Sequence, residues 1–221
     1  MSANLKRGCG ILLIVSFVIL SILALLPDAD ADHDAGYISS ELTIQENVDG
    51  SVTSTNYVNP DGVITDAIDM GYATVCRMRD HNGRVVKERY LDASGNPVAR
   101  YGDYYGVSYE YDETSKVIIY LDAEDNPIIR SNGYSTIVRT QVDGRASDDF
   151  YYDLNGQQVQ CSGGYYGTHR EFNTEGQNTS LTFLDKDGHA VSTSSGYAIK
   201  TYQRDGNGTV VGEQYFDTEG N

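Results

Sequence analysis

Asp185 and Asp187 in "DKDGHAV" have the spacing that opens a calcium loop of oxygen ligands. A loop begun at Asp185 needs an acidic twelfth residue, and that position is Gly196. The pair therefore reads as a turn, and no metal is expected. The run "DADADHD" could gather divalent cations weakly, but it reads better as solvated linker. His33, His81, His169 and His189 are scattered, two of them beside turns. No Gly-x-Ser-x-Gly elbow, His-Glu-x-x-His pair or Gly-rich phosphate loop accompanies them, so neither catalysis nor a cofactor is expected. The remaining chemistry is aromatic. Tyr72, Tyr104, Tyr134, Tyr165 and Tyr197 recur at nearly even spacing. On one edge or face, with acidic and amide neighbours, such a ladder suits sugar rings, which offer apolar faces and many hydroxyls. The competing reading is that these tyrosines are core.

The ladder belongs to a longer repeat. An aromatic residue recurs at Tyr57, Tyr90, Tyr120, Tyr151, Phe183 and Tyr215, spaced 33, 30, 31, 32 and 32 residues apart. Two residues after each comes Asn59, Asp92, Asp122, Asp153, Asp185 or Asp217, and a Gly follows three later except where Asp125 replaces it. A second turn opener lies further on, at Asp80, Asp112, Asp143, Asn173 or Asp205. Asp or Asn there can accept from its own backbone two residues on, while Gly supplies a positive φ. The segments between are rich in Val, Ile, Thr and Tyr. In "YYGVSYEYD" Tyr105, Val107, Tyr109 and Tyr111 alternate with small or polar residues, the period of a half-buried strand.

The spacing from the second turn opener to the next aromatic is eight or ten residues, so the aromatic keeps its face. One copy spends nine residues instead of eight before Asp143, which a bulge or the turn must absorb. These features predict an all-β fold: tandem β-hairpin repeats of about 32 residues forming an elongated antiparallel sheet or solenoid. One unit cannot bury its apolar face alone, and stacking copies builds the core. With no Trp and five Phe, the 18 Tyr must supply much of the packing area.

Ahead of the repeats, "MSANLKRGCG" and then "ILLIVSFVILSILALL" place two basic residues before an apolar stretch. Residues 1–27 read as a hydrophobic helix, either a signal-anchor spanning the membrane once or a cleaved signal peptide. Lys6 and Arg7 would stay cytoplasmic and the remainder would be exported, anchored in the cell membrane or else secreted or wall-associated. Residues 28–40 read as juxtamembrane linker and 41–221 as the repeat array. "YFDTEGN" stops inside the first turn of a new copy, which suggests an array continuing in a longer protein. All 32 acidic residues lie beyond residue 26, against 14 basic ones, a balance that argues against nucleic acid. Cys76 and Cys161 stand more than two repeats apart, too far for one disulfide.

At "YEYDETSKVIIYLDAEDNP" the chain resembles the YD (Rhs-type) repeats of bacterial surface proteins: Tyr109, Tyr111 and Asp112 match their Tyr-x-Tyr-Asp-x-x-Gly pattern, while Ser115 replaces the Gly. "FYYDLNG" and "QYFDTEG" resemble the Tyr-Tyr-Phe-Asp-x-x-Gly half of the cell-wall-binding repeats of Gram-positive exported proteins. The resemblance implies a β-hairpin repeat array in an exported bacterial setting. It does not imply choline binding, because the tryptophans of those sites are absent. The expected role is a non-catalytic envelope module binding cell-wall glycan or a surface protein. The alternatives are a stalk presenting a further domain and a fragment of an enzyme whose catalytic part lies elsewhere.

Overall fold

A computed structural model of the chain describes residues 42–67 and 70–221. The expected helix over 1–27 and linker over 28–40 lie outside the described residues. What is described is all-β, and no helix among these residues is long and apolar enough to cross a membrane. The strands fall into two compact units that divide after Gly102.

The first unit holds β1 (Thr43–Asp49), β2 (Val52–Val58), β3 (Thr74–Arg79) and β4 (Val85–Leu91), each antiparallel to the next. The second holds β5 (Gly106–Tyr111), β6 (Ser115–Leu121), β7 (Thr136–Val142), β8 (Arg145–Tyr152), β9 (Gly167–Phe172), β10 (Asn178–Leu184), β11 (Ile199–Arg204) and β12 (Val210–Phe216). Within this unit too every strand pairs antiparallel with its sequence neighbours. The expected hairpin repeat is therefore present in both units.

Two kinds of connection alternate. The short ones sit at the second turn openers. After β3, β9 and β11 the side chain of Asp80, Asn173 or Asp205 accepts from the backbone amides two and four residues on. After β7 the turn shrinks to Asp143-Gly144, whose φ values of 52° and 75° give the two-residue geometry that follows strand twist. The odd residue before Asp143 is absorbed next to this turn: the β7–β8 register shifts between Thr140 and Gln141, and Ser147 is left unpaired in the ladder.

The connections after β2, β6, β8 and β10 are longer than simple hairpin turns. Each opens on the Asn or Asp of the repeat, for example Asp122, whose Oδ1 accepts from the backbone amides of Glu124 and Asn126. Asp125 occupies the glycine place here with a φ of 73°. The chain then folds back along the strand it has left, with Ile128 N–H donating to Tyr120 C=O at 3.0 Å and Val159 N–H to Tyr151 C=O at 2.9 Å. A further turn returns it to the next strand, and Gly133 and Gly164 take φ values of 94° and 89° in two of these. The result is a flap. In the second unit flaps bond to one another, Ser162 N–H to Asn132 C=O at 2.9 Å and Ser194 N–H to Gly163 C=O at 2.8 Å. The flaps place the ladder tyrosines, which sit where each flap meets its strand.

Candidate functional site: the aromatic column

The ladder tyrosines do not stack on each other. They interleave with the aromatic that closes each even-numbered strand, so within each unit the two rows form one column. In the first unit Tyr72 lies 5.9 Å from Tyr57 and 4.9 Å from Tyr90, centroid to centroid. In the second unit the sequence runs Tyr104, Tyr120, Tyr134, Tyr151, Tyr165, Phe183, Tyr197, Tyr215, with separations between 4.5 and 6.0 Å. Most contacts are tilted or edge-on, as ring quadrupoles prefer, and Tyr134 on Tyr151 is stacked at 4.5 Å and 18°.

Burial separates the ladder members. Tyr72, Tyr104 and Tyr134 are buried, Tyr72 to 3% exposure, whereas Tyr165 and Tyr197 are half-buried. Ring faces at the first three positions are thus spent on neighbouring rings. Each such burial contributes roughly 2–3 kcal/mol of apolar transfer, and each aromatic pair about 0.5–1.5 kcal/mol more. Burial also raises the phenol pKa of Tyr72 and Tyr165, and that of Tyr151 well above its ordinary value.

Two arginines clamp the rings, one in each unit. Arg130, in the flap after β6, puts its guanidinium carbon 4.3 Å from the Tyr120 centroid, 4.8 Å from Tyr104 and 5.7 Å from Tyr134. Its Nε donates to Asp103 Oδ2 at 2.7 Å, and one terminal nitrogen donates to Tyr134 Oη at 3.3 Å. Arg100 does the same in the first unit, 5.9 Å from Tyr72 and 5.3 Å from Tyr90, while donating to Tyr90 Oη. Both stand eight residues after a turn aspartate, Asp122 or Asp92, a spacing that could have been read in the sequence. It was hidden because the same place holds Cys161 and Thr193 in later copies.

Away from the column, charges meet in two clusters. Asp149 accepts from Arg139 Nε at 2.7 Å and from Arg139 and Arg170 terminal nitrogens at 3.0 Å each. Burial pushes the Asp149 carboxyl up, but the two guanidiniums outweigh it and its pKa is lowered. Beside this group, Asp148 accepts from Ser147 Oγ at 2.8 Å and lies 2.7 Å from His169 Nδ1. These are the residue types of a hydrolase triad in the wrong order: the carboxylate separates the hydroxyl from the imidazole, so the imidazole does not reach the serine proton. Among the described residues no group of three or more His, Cys, Asp or Glu is placed to hold a metal ion. Asp185 serves its turn, accepting from the amides of Asp187 and His189. Cys161 is buried and free, so Cys76 and Cys161 do not bridge each other.

A shallow hollow of about 490 Å³ opens over β6, β7 and β8, lined by Ile119, Thr136, Val138 and Tyr152 with Pro127 and Leu154 at its sides. None of the ladder tyrosines lines it. No known family profile matches this chain, and no curated protein matches it in sequence.

Proposed function

We propose that the chain is a non-catalytic, exported repeat module of the bacterial cell envelope, working as a spacer whose aromatic ladder is its own scaffold. The observation that carries this reading is the interleaved column: the residues best suited to stack on a glycan are engaged with one another and, at Tyr72, Tyr104 and Tyr134, buried. The export and membrane attachment of the module rest on the basic-then-apolar start of the sequence, and the bacterial setting on the resemblance to YD and cell-wall-binding repeats.

Sedimentation with purified cell-wall glycan tests the choice between spacer and glycan binder. A spacer leaves the full chain in the supernatant at the level of an equally acidic control protein. Saturable pelleting that resists moderate salt would establish the glycan-binding module instead. Protease treatment of intact cells carrying an epitope in the "DHNG" turn tests the topology, since export makes that epitope accessible from outside.

A further inference from the structure

We propose that Asn82 is a self-modifying residue, whose side-chain amide is converted to aspartate and isoaspartate by attack of the next backbone nitrogen. The turn between β3 and β4 then records the age of the molecule. Asn-Gly pairs stand at Asn82, Asn132, Asn155 and Asn207, and each sets a backbone nitrogen with no neighbouring Cβ in its way beside a carboxamide. The reaction is intramolecular. The glycine nitrogen bonds to the asparagine Cγ and gives up its proton, while the Cγ–Nδ2 bond breaks and the amide leaves as ammonia with that proton. Water then opens the cyclic imide at either carbonyl and leaves a carboxylate. No oxidant, reductant or cofactor enters.

The four turns share one cost. The attacking N–H donates to a carbonyl of its own turn at 2.9 to 3.2 Å in each, Gly83 to Asp80 C=O at 3.0 Å. In an exposed turn water replaces such a bond at little cost. Charge and crowding separate them. Asn82 is exposed, its side chain makes no hydrogen bond, and nothing stands within 4 Å of a Cβ placed on Gly83. The Asp80 carboxylate is paired with Arg84 at 2.8 Å, and Arg79 donates to Gly83 C=O at 2.9 Å. Two guanidiniums thus favour the anion that the glycine nitrogen becomes as it attacks. At Asn155 the side-chain amide lies 3.5 Å from Asp153 Oδ2, a carboxylate with no cation on it. At Asn132 the peptide that must rotate is pinned, because its C=O accepts from Ser162 N–H of the next flap at 2.9 Å. At Asn207 Arg204 donates to Gly208 C=O as Arg79 does to Gly83, but the Gln177 amide covers Gly208.

The product fits its hairpin. Isoaspartate carries the chain through the side-chain carbon and adds one atom to the backbone. The β3–β4 register already shifts between Met78 and Arg79 and leaves Val86 unpaired, so slack for that atom lies beside the turn. The strands persist while the turn gains a negative charge next to Arg79 and Arg84.

The test ages the full chain in oxygen-18 water and digests it with trypsin, which cuts after Arg79 and Arg84 and isolates residues 80–84. Mass spectrometry should find aspartate and isoaspartate at Asn82, each carrying oxygen-18. Conversion there should run about fivefold or more ahead of Asn132, Asn155 and Asn207, the factor that one net hydrogen bond sets. In urea the four sites should converge, since only the folded turns separate them. Asn82→Gln should remove the first acidic species seen on ion exchange and leave the unfolding midpoint unchanged. Equal rates at the four sites in the folded chain, or the same ranking in urea, would overturn the proposal. So would a product lacking oxygen-18, because it would not have formed through the imide.

Discussion

Replacing Asp149 by alanine should be the most damaging single change in the second unit outside the column. The structure sets the size of the effect. Side-chain exposure is 2% for Arg139 and 3% for Asp149, and 11% for Arg170. Without the carboxylate, two guanidiniums that stay largely out of water lose the counter-charge they share. Breaking a buried pair from one side costs about 3–5 kcal/mol, a large part of the roughly 5–15 kcal/mol that holds a domain together. Urea denaturation followed by circular dichroism should show the midpoint falling with the slope unchanged. Glu88→Ala is the internal comparison. Its partner Arg77 is 30% exposed and Glu88 15%, so water can screen the loss and the cost should stay below about 1 kcal/mol. Replacing Asp149, Arg139 and Arg170 together with apolar residues of similar volume should recover most of the stability, because the desolvation penalty disappears with the charges. A loss under about 1 kcal/mol for Asp149→Ala, with Arg139 still buried, would refute the reasoning.

Further expectations concern the column, the turns and one close contact. Tyr134→Ala, in a 4.5 Å stack, should cost about 3–5 kcal/mol in chemical denaturation, and Tyr165→Ala less, since that ring is only half-buried. Hydrogen bonds from the backbone lower the carboxyl pKa values of Asp92, Asp122, Asp153, Asp185 and Asp217. Their stabilisation is present above the unfolded value of about 3.9 and is lost as pH falls through the lower folded values; a pH-melting series in which acid has no such effect would contradict this. The raised phenols of Tyr72, Tyr151 and Tyr165 act at the other end, contributing fully below about pH 10 and losing that contribution as pH climbs towards their folded values. Gly167→Ala would bring its new methyl to 2.7 Å from the Phe150 ring and against Asp149 C=O, so it should lower the unfolding midpoint measurably; an unchanged midpoint would mean that β8 gives way freely.

Much of this fold can be read in the sequence because its rules are local. The Asp-x-x-Gly turns, the strand period and the even spacing of the aromatics each operate within a dozen residues. The bulge anticipated from the nine-residue interval appears at Ser147, but β3–β4, β9–β10 and β11–β12 shift register beside their turns as well, with no odd interval to announce it. The flaps were not legible, because their first turn looks like a hairpin turn and only the return bond, such as Ile128 to Tyr120, shows the chain doubling back. The ladder was legible as a row but not as a column: spacing says that Tyr134 repeats, and only packing shows which rings come between. The Asp149 cluster escaped for a different reason. Its arginines lie 10 and 21 residues away, and they meet only through the registers of β7, β8 and β9.

The three lengths of short turn carry a consequence for how such a chain can vary. Asp80 to Arg84 spans a five-residue loop and the loop opened by Asp112 is shorter, yet both deliver the next aromatic to the column. Gain or loss of two codons in a turn is therefore close to neutral, while one codon inverts every following side chain in its strand unless a bulge arises beside it. Lineages of this gene should drift in turn length by steps that keep the aromatic on its face, and a displaced residue such as Val86 or Ser147 marks where the ladder has absorbed a step.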